Sequence, residues 1–131
     1  MSKKNILVTG SSRGIGLSIA LKLAAQGNKV IINGRNRKTL NKIKKNNKNI
    51  DIIVGDFSSP KKSKAMIKKT LKIFKTLNVL ICNIGLSKSC KPNQENYNEW
   101  KKMFNFNFYS ASNPIEHAKK EIIKTKGSII V

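Results

Sequence analysis

Acidic side chains are scarce in this sequence: six Asp and Glu stand against 27 Lys and Arg, a formal net charge of +21 over 131 residues. So few acids leave little material for a carboxylate-based metal cage. Cysteine occurs twice, as Cys82 in an apolar run and Cys90 in a polar loop, and neither has metal-ligand spacing. That scarcity excludes a disulfide-framed secreted module and suits a reducing, cytoplasmic setting. The one histidine, His117, has no Cys or carboxylate at metal spacing and reads as a surface residue. No apolar run reaches the roughly 18 residues that a membrane-spanning helix requires. The opening MSKKNILVTG enters an apolar strand directly after its two lysines, unlike a secretory leader.

The excess of positive charge invites a nucleic-acid reading, but its make-up argues otherwise. Of the 27 basic residues, 24 are Lys and only three are Arg, alongside sixteen Asn. The lysines recur on the outer faces of expected helices, as in Lys42-Lys44-Lys45 and Lys68-Lys69-Lys72, and form no stripe interleaved with aromatics. A solvated lysine-rich surface with no specific nucleic-acid partner is expected, and a basic nucleic-acid-binding domain ranks as the weakest alternative.

The length allows one domain, residues 1–131, with one core. Short, nearly continuous apolar runs at Asn5–Thr9, Lys29–Asn33, Ile50–Val54, Val79–Cys82 and Ser128–Val131 alternate with helix-patterned stretches. That alternation predicts an α/β fold, a doubly wound parallel sheet of Rossmann type with helices on both faces. In the first helix Ile15, Ile19 and Leu23 recur every four residues beside Ala20 and Ala24, and Gly27 supplies the stop. Arg37–Asn46 has only Leu40 and Ile43 on its buried side; Ser59-Pro60 caps a helix striped by Ile67, Leu71 and Phe74. Trp100, Met103, Phe104, Phe108 and Ala111 mark a later helix, with a kink expected near Asn113 because Pro114 follows.

Thr9 to Gly16 read TGSSRGIG between the first strand and the first helix. A turn through Gly10 leading to a helix near Gly14 leaves backbone N–H groups and the positive end of the helix dipole facing outward, an anion site suited to a pyrophosphate. The spacing, G-x-x-x-G-x-G with Thr in front, resembles the T-G-x-x-x-G-[LIV]-G signature of the short-chain dehydrogenase/reductase family. The resemblance implies that Gly10, Ser11, Ser12, Arg13, Gly14, Ile15 and Gly16 cradle a nicotinamide dinucleotide.

The end of the second strand bears on which cofactor fits. An NAD site usually has an Asp or Glu there for the ribose 2′-OH, whereas this chain reads Asn33-Gly34-Arg35. A guanidinium at Arg35, with Arg13 across the turn, could clamp a 2′-phosphate, so NADP(H) is favoured over NAD(H); the alternative is two surface arginines. Asp56-Phe57 follows the third strand. The resemblance implies an adenine contact from the Asp and a backbone contact from Phe57, while helix capping is an equal use for the Asp. Cys82-Asn83-Ile84-Gly85 resembles the family's N-N-A-G segment, so Asn83, Ile84 and Gly85 would line the adenine-ribose side, with Cys82 a small buried residue. Asn107 lies on an apolar stripe, where a buried amide needs partners. The resemblance of M-F-N-F-N-F to the family's helix segment implies that Asn107 holds a water in the proton relay; a packing Asn bonded to nearby backbone is the structural alternative.

The resemblance thus implies an NADP(H)-dependent oxidoreductase interconverting a carbonyl and an alcohol on a small molecule, a homo-oligomer when full length, paired through the Asn107 helix and the next. The family's Ser and Tyr-x-x-x-Lys follow the fifth strand, on which these residues stop; Tyr97-x-x-x-Lys101 matches the spacing but precedes Asn107. The expectation is a fragment truncated after that strand, the cofactor-binding half of a reductase and inactive by itself. A non-catalytic NADP-binding sensor or scaffold is the alternative. Sequencing the transcript past Val131 is expected to reveal a Ser followed by Tyr-x-x-x-Lys, and an in-frame stop there would rule out the longer enzyme.

Overall fold

The computed structural model describes residues 3–87 and 90–131. Five parallel strands, β1 (Asn5–Val8), β2 (Lys29–Gly34), β3 (Ile50–Val54), β4 (Val79–Ile81) and β5 (Ser128–Ile130), form one sheet in the order β3-β2-β1-β4-β5. Successive strand residues point to opposite faces, and along β1 to β4 both faces are covered, which is why those runs read as continuously apolar; β5, expected to be covered likewise, is exposed along its length in these residues. On one face Leu7, Ile31, Ile53 and Leu80 meet Met66, Ile67 and Phe74 of α3 (Pro60–Phe74) and Ala118 and Ile122 of α5 (Ser110–Lys124). On the other, Ile6, Val8, Val30, Ile32 and Ile81 meet Ala20 and Ala24 of α1 (Gly14–Ala25) and Leu40 of α2 (Arg37–Lys45). Among the described residues no helix is long and apolar enough to cross a membrane.

The strands and helix positions expected from the pattern are all present, with ends shifted by a residue or so. Three side-chain expectations are corrected. First, α1 lays Gly16, Ala20 and Ala24 on the sheet, while Ile15 is 75 % exposed and Ile19 and Leu23 pack at the margin. A four-residue repeat overshoots the helical turn by about 40° per step, so the Ile row drifts around the helix. The neighbouring row of small side chains is the one that lets the helix lie close to the strands.

Second, Trp100, Phe104 and Phe108 do not face the core; they are 59 %, 54 % and 56 % exposed. Helix α4 (Tyr97–Phe104) buries none of its residues, since apolar spacing marks a common face but not what covers it. Third, α5 runs through the buried Pro114 without ending near Asn113. The irregularity lies upstream, in a π-helical turn at Asn105–Tyr109 where α4 passes into α5. Asn113 instead donates from Nδ2 to the carbonyls of Phe57 (3.1 Å) and Ser58 (2.9 Å), docking α5 on the loop after β3.

The α1 packing separates two substitutions that the sequence pattern treats alike. Ile15→Ala is expected to leave unfolding free energy within about 0.5 kcal/mol of the parent, whereas Ala20→Leu should cost about 1–3 kcal/mol through overpacking, both measured by urea denaturation.

Candidate functional site

Four strand ends meet at one edge of the sheet, the carboxyl ends of β1 to β4. Beyond Val8 the chain is held by Thr9 N–H on the Ile81 carbonyl (2.9 Å) and turns through Gly10 in the left-handed region, φ 60°. A side chain there would be strained, and its Cβ would lie 2.8 Å from Ile84 Cγ1. Ser11 is buried, its hydroxyl donating to the Val8 carbonyl at 2.6 Å. Ser12 is half-buried, and Arg13 is exposed with extended backbone at the entry to α1.

The start of α1 differs from those of α2, α3 and α4. Asn36 caps α2, Ser59 caps α3 and Asn96 caps α4, each accepting a first-turn N–H. No side chain caps α1. Leu17 N–H reaches Arg13 O at 3.3 Å, and the N–H groups of Gly14, Ile15 and Gly16 precede it without an intrahelical acceptor. A helix end with its donors left open, at the edge where β1 parts from β2 toward β4, is built to receive an anion.

Asn83 closes the underside of this turn. Its N–H donates to Thr9 Oγ1 (3.0 Å), and its Nδ2 to the carbonyls of Thr9 (3.2 Å) and Gly10 (3.1 Å). A Cβ on Gly16 would collide with that same amide, so Gly16 is what allows Asn83 under the helix. The amide therefore works from below the turn. Gly85 is exposed, and Ile84 packs half-buried on the core.

Arg35 follows β2 and is exposed, and neither Arg13 nor Arg35 takes part in the three ion pairs found among the described residues. Both side chains are exposed, Arg13 at the entry to α1 and Arg35 directly after β2. Asp56 is half-buried after β3, and its Oδ1 accepts the Ser58 N–H at 2.9 Å in the turn ahead of α3; the helix cap itself is Ser59, so the expected capping use of Asp56 is not realised. Phe57 is buried as a whole residue, and its carbonyl accepts from Asn113 Nδ2.

Asn107 departs from the expectation of burial: it is exposed, within the π-helical turn. It is nonetheless held at both side-chain atoms, accepting Leu86 N–H at Oδ1 (2.7 Å) and donating from Nδ2 to Leu86 O (2.9 Å). The stripe it shares faces outward, so partners come from the loop after β4. It joins Trp100, Met103, Phe104 and Phe108 in lining an open apolar groove of about 550 Å³. Tyr97 and Lys101 are exposed on α4, outside this lining. His117 is half-buried on α5. Among the described residues no cluster of His, Cys, Asp or Glu is arranged to hold a metal.

The residue that sequence reasoning passed over is Asn33, fully buried at the end of β2 and bonded to the turns after both β1 and β3. The one signal available was a polar side chain closing the apolar run Val30-Ile31-Ile32.

Cys82 is buried below the site, and desolvation pushes its thiol from 9.0 up to about 11. Because the folded state holds this proton more tightly, the contribution to stability is complete below 9.0 and is lost as pH rises toward about 11. Iodoacetamide at about pH 8 is therefore expected to leave Cys82 unmodified in the folded protein and to alkylate it in urea, as read by peptide mass mapping.

The comparisons with known proteins agree with this geometry. A family model described as short chain dehydrogenase matches residues 4–131. The 3-oxoacyl-[acyl-carrier-protein] reductase FabG of Staphylococcus aureus is 31% identical over 133 residues, which cover 98% of this chain and 54% of that protein. An uncharacterised oxidoreductase of Schizosaccharomyces pombe is 33% identical, over 99% of this chain and 53% of its own length. The chain thus spans about half the length of the curated relatives it matches. Among solved structures, a short-chain dehydrogenase from Streptomyces avermitilis superposes with a TM-score of 0.90 at 22% identity, over 98% of this chain and 48% of that one. ElxO with NADP bound gives a TM-score of 0.88 at 28% identity, over 98% of this chain and 54% of that one. Matched over nearly its whole length and carrying the glycine turn at the sheet edge, the chain belongs to the short-chain dehydrogenase family.

Proposed function

We propose that these residues form the cofactor-binding half of an NADP(H)-dependent oxidoreductase that interconverts a carbonyl and an alcohol. The observation that carries this reading is the open start of α1, where Gly14, Ile15 and Gly16 offer N–H donors that no protein side chain covers. The donor set suits a pyrophosphate, and the exposed Arg13 and Arg35 suit a 2′-phosphate beside it. ElxO, 28% identical, is a structural neighbour with NADP bound.

In this reading Ser12 to Gly16 hold the pyrophosphate directly, and Gly10 and Ser11 shape the turn from within. The free oxygen of Asp56 and the Phe57 backbone take the adenine. Asn83, Ile84 and Gly85 form the floor on the ribose side. When bound, the nicotinamide supplies hydride chemistry toward the substrate carbon. Asn107 keeps one lone pair on Oδ1 and one hydrogen on Nδ2 beyond its Leu86 bonds, and these hold the relay water. The outward row of Trp100, Phe104 and Phe108 supports pairing of two copies through α4 and α5, and the protein is assigned to the cytoplasm.

A second reading, a non-catalytic NADP-binding sensor or scaffold, rests on the same open helix end. Both readings predict cofactor binding, and only the first predicts turnover. Titrating NADPH and NADH against the parent and Arg35→Ala by fluorescence tests the cofactor assignment. Losing the charge-assisted contact is expected to weaken NADPH by about tenfold or more while leaving NADH nearly unchanged. Equal weakening of both would contradict the 2′-phosphate role.

A further inference from the structure

We propose that Asn33 is a positioning residue, the buried amide that fixes the glycine turn and the adenine-side loop at their working separation. This rests on the cofactor reading above and assigns a role to a residue that would touch no part of the cofactor. The Asn33 side chain is 1 % exposed as a residue. Its Oδ1 accepts the Gly10 N–H at 3.2 Å. Its Nδ2 donates to the carbonyls of Ile53 (3.1 Å) and Gly55 (3.2 Å), the residue just before Asp56. Its main chain is paired with Ser11 in both directions: Asn33 N–H donates to Ser11 Oγ (2.9 Å), and Ser11 N–H donates to Asn33 O (2.8 Å).

The two consequences are specific. Gly10 and Ser11 N–H point into the protein, so the donors available to a phosphate begin at Ser12. The separation between the turn after β1 and the loop after β3 is set by one side chain that reaches both. The job requires one acceptor and two donor hydrogens on a short side chain. Asp carries no donor when ionised, Ser and Thr carry a single donor hydrogen, and Leu carries neither function. Gly34 adds to the closeness of the approach, since a Cβ there would lie 2.9 Å from Ser12 Cβ.

The test compares the parent with Asn33→Asp, which keeps an acceptor for Gly10 but loses both donors, and with Asn33→Leu, which loses all three bonds. NADPH affinity is measured at a temperature where thermal melts show each variant folded. Loss of two or three buried hydrogen bonds in the frame is expected to weaken NADPH by about tenfold. Amide shifts should concentrate at Gly10–Gly16 and at Gly55 and Asp56. A lowered melting temperature with unchanged NADPH affinity would overturn the proposal, since that is the mark of a purely structural residue. Should neither variant fold, hydrogen exchange on the parent decides. The Gly10 amide should be protected before NADPH is added and unchanged after, while Ile15 gains protection. A Gly10 amide that exchanges freely until NADPH arrives would overturn the assignment. A parent protein that binds no NADPH would instead overturn the cofactor reading itself, and this inference with it.

Discussion

A helix that begins without a cap can persist only if the chain leading into it is held by other means. In this fold the open start of α1 depends on hydrogen bonds made beneath the glycine turn. Ser11 ties the turn to β1 and β2, Asn33 extends the tie to β3, and Asn83 brings in β4 from the other side. Four strands thereby set the direction of three backbone donors. Buried polar groups of this kind cost stability when left single and give definition when complete, and here each finds its partners.

The rest of the architecture serves that edge. The two core layers divide the odd and even residues of β1 to β4, so that part of the sheet is clamped from both sides and its ends stay in register. The small-residue face of α1 brings the helix down close to the strands, which carries its first turn to the sheet edge rather than above it. Asn113 then anchors α5 to the loop that presents Asp56, and Asn107 anchors the π-helical turn to the loop after β4. Asparagine, abundant in the composition, does much of the joining between elements that lie far apart in sequence.

What could be read in advance follows from how local each signal is. The strands were legible because each is a short apolar run, and the helix start at Ser59 because a cap lies next to its own helix. The glycine turn was legible for the same reason, with strand, turn and helix contiguous. Facing directions were harder. The repeat of Ile15, Ile19 and Leu23 hid the smaller residues that pack, and the aromatic row of α4 gave no hint that it looks outward. Asn107 was singled out as a polar residue on an apolar stripe, but its partner Leu86 lies 21 residues away. Asn33 was read only for the acid it is not, since its partners come from β1 and β3, about which a single strand end says nothing.

The strand at the other end of the sheet carries a different consequence. Within these 131 residues β5 pairs with β4 alone and contributes no side chain to either core layer. Its amides are therefore expected to exchange ahead of those of β1, β2 and β4, which lie between covered faces.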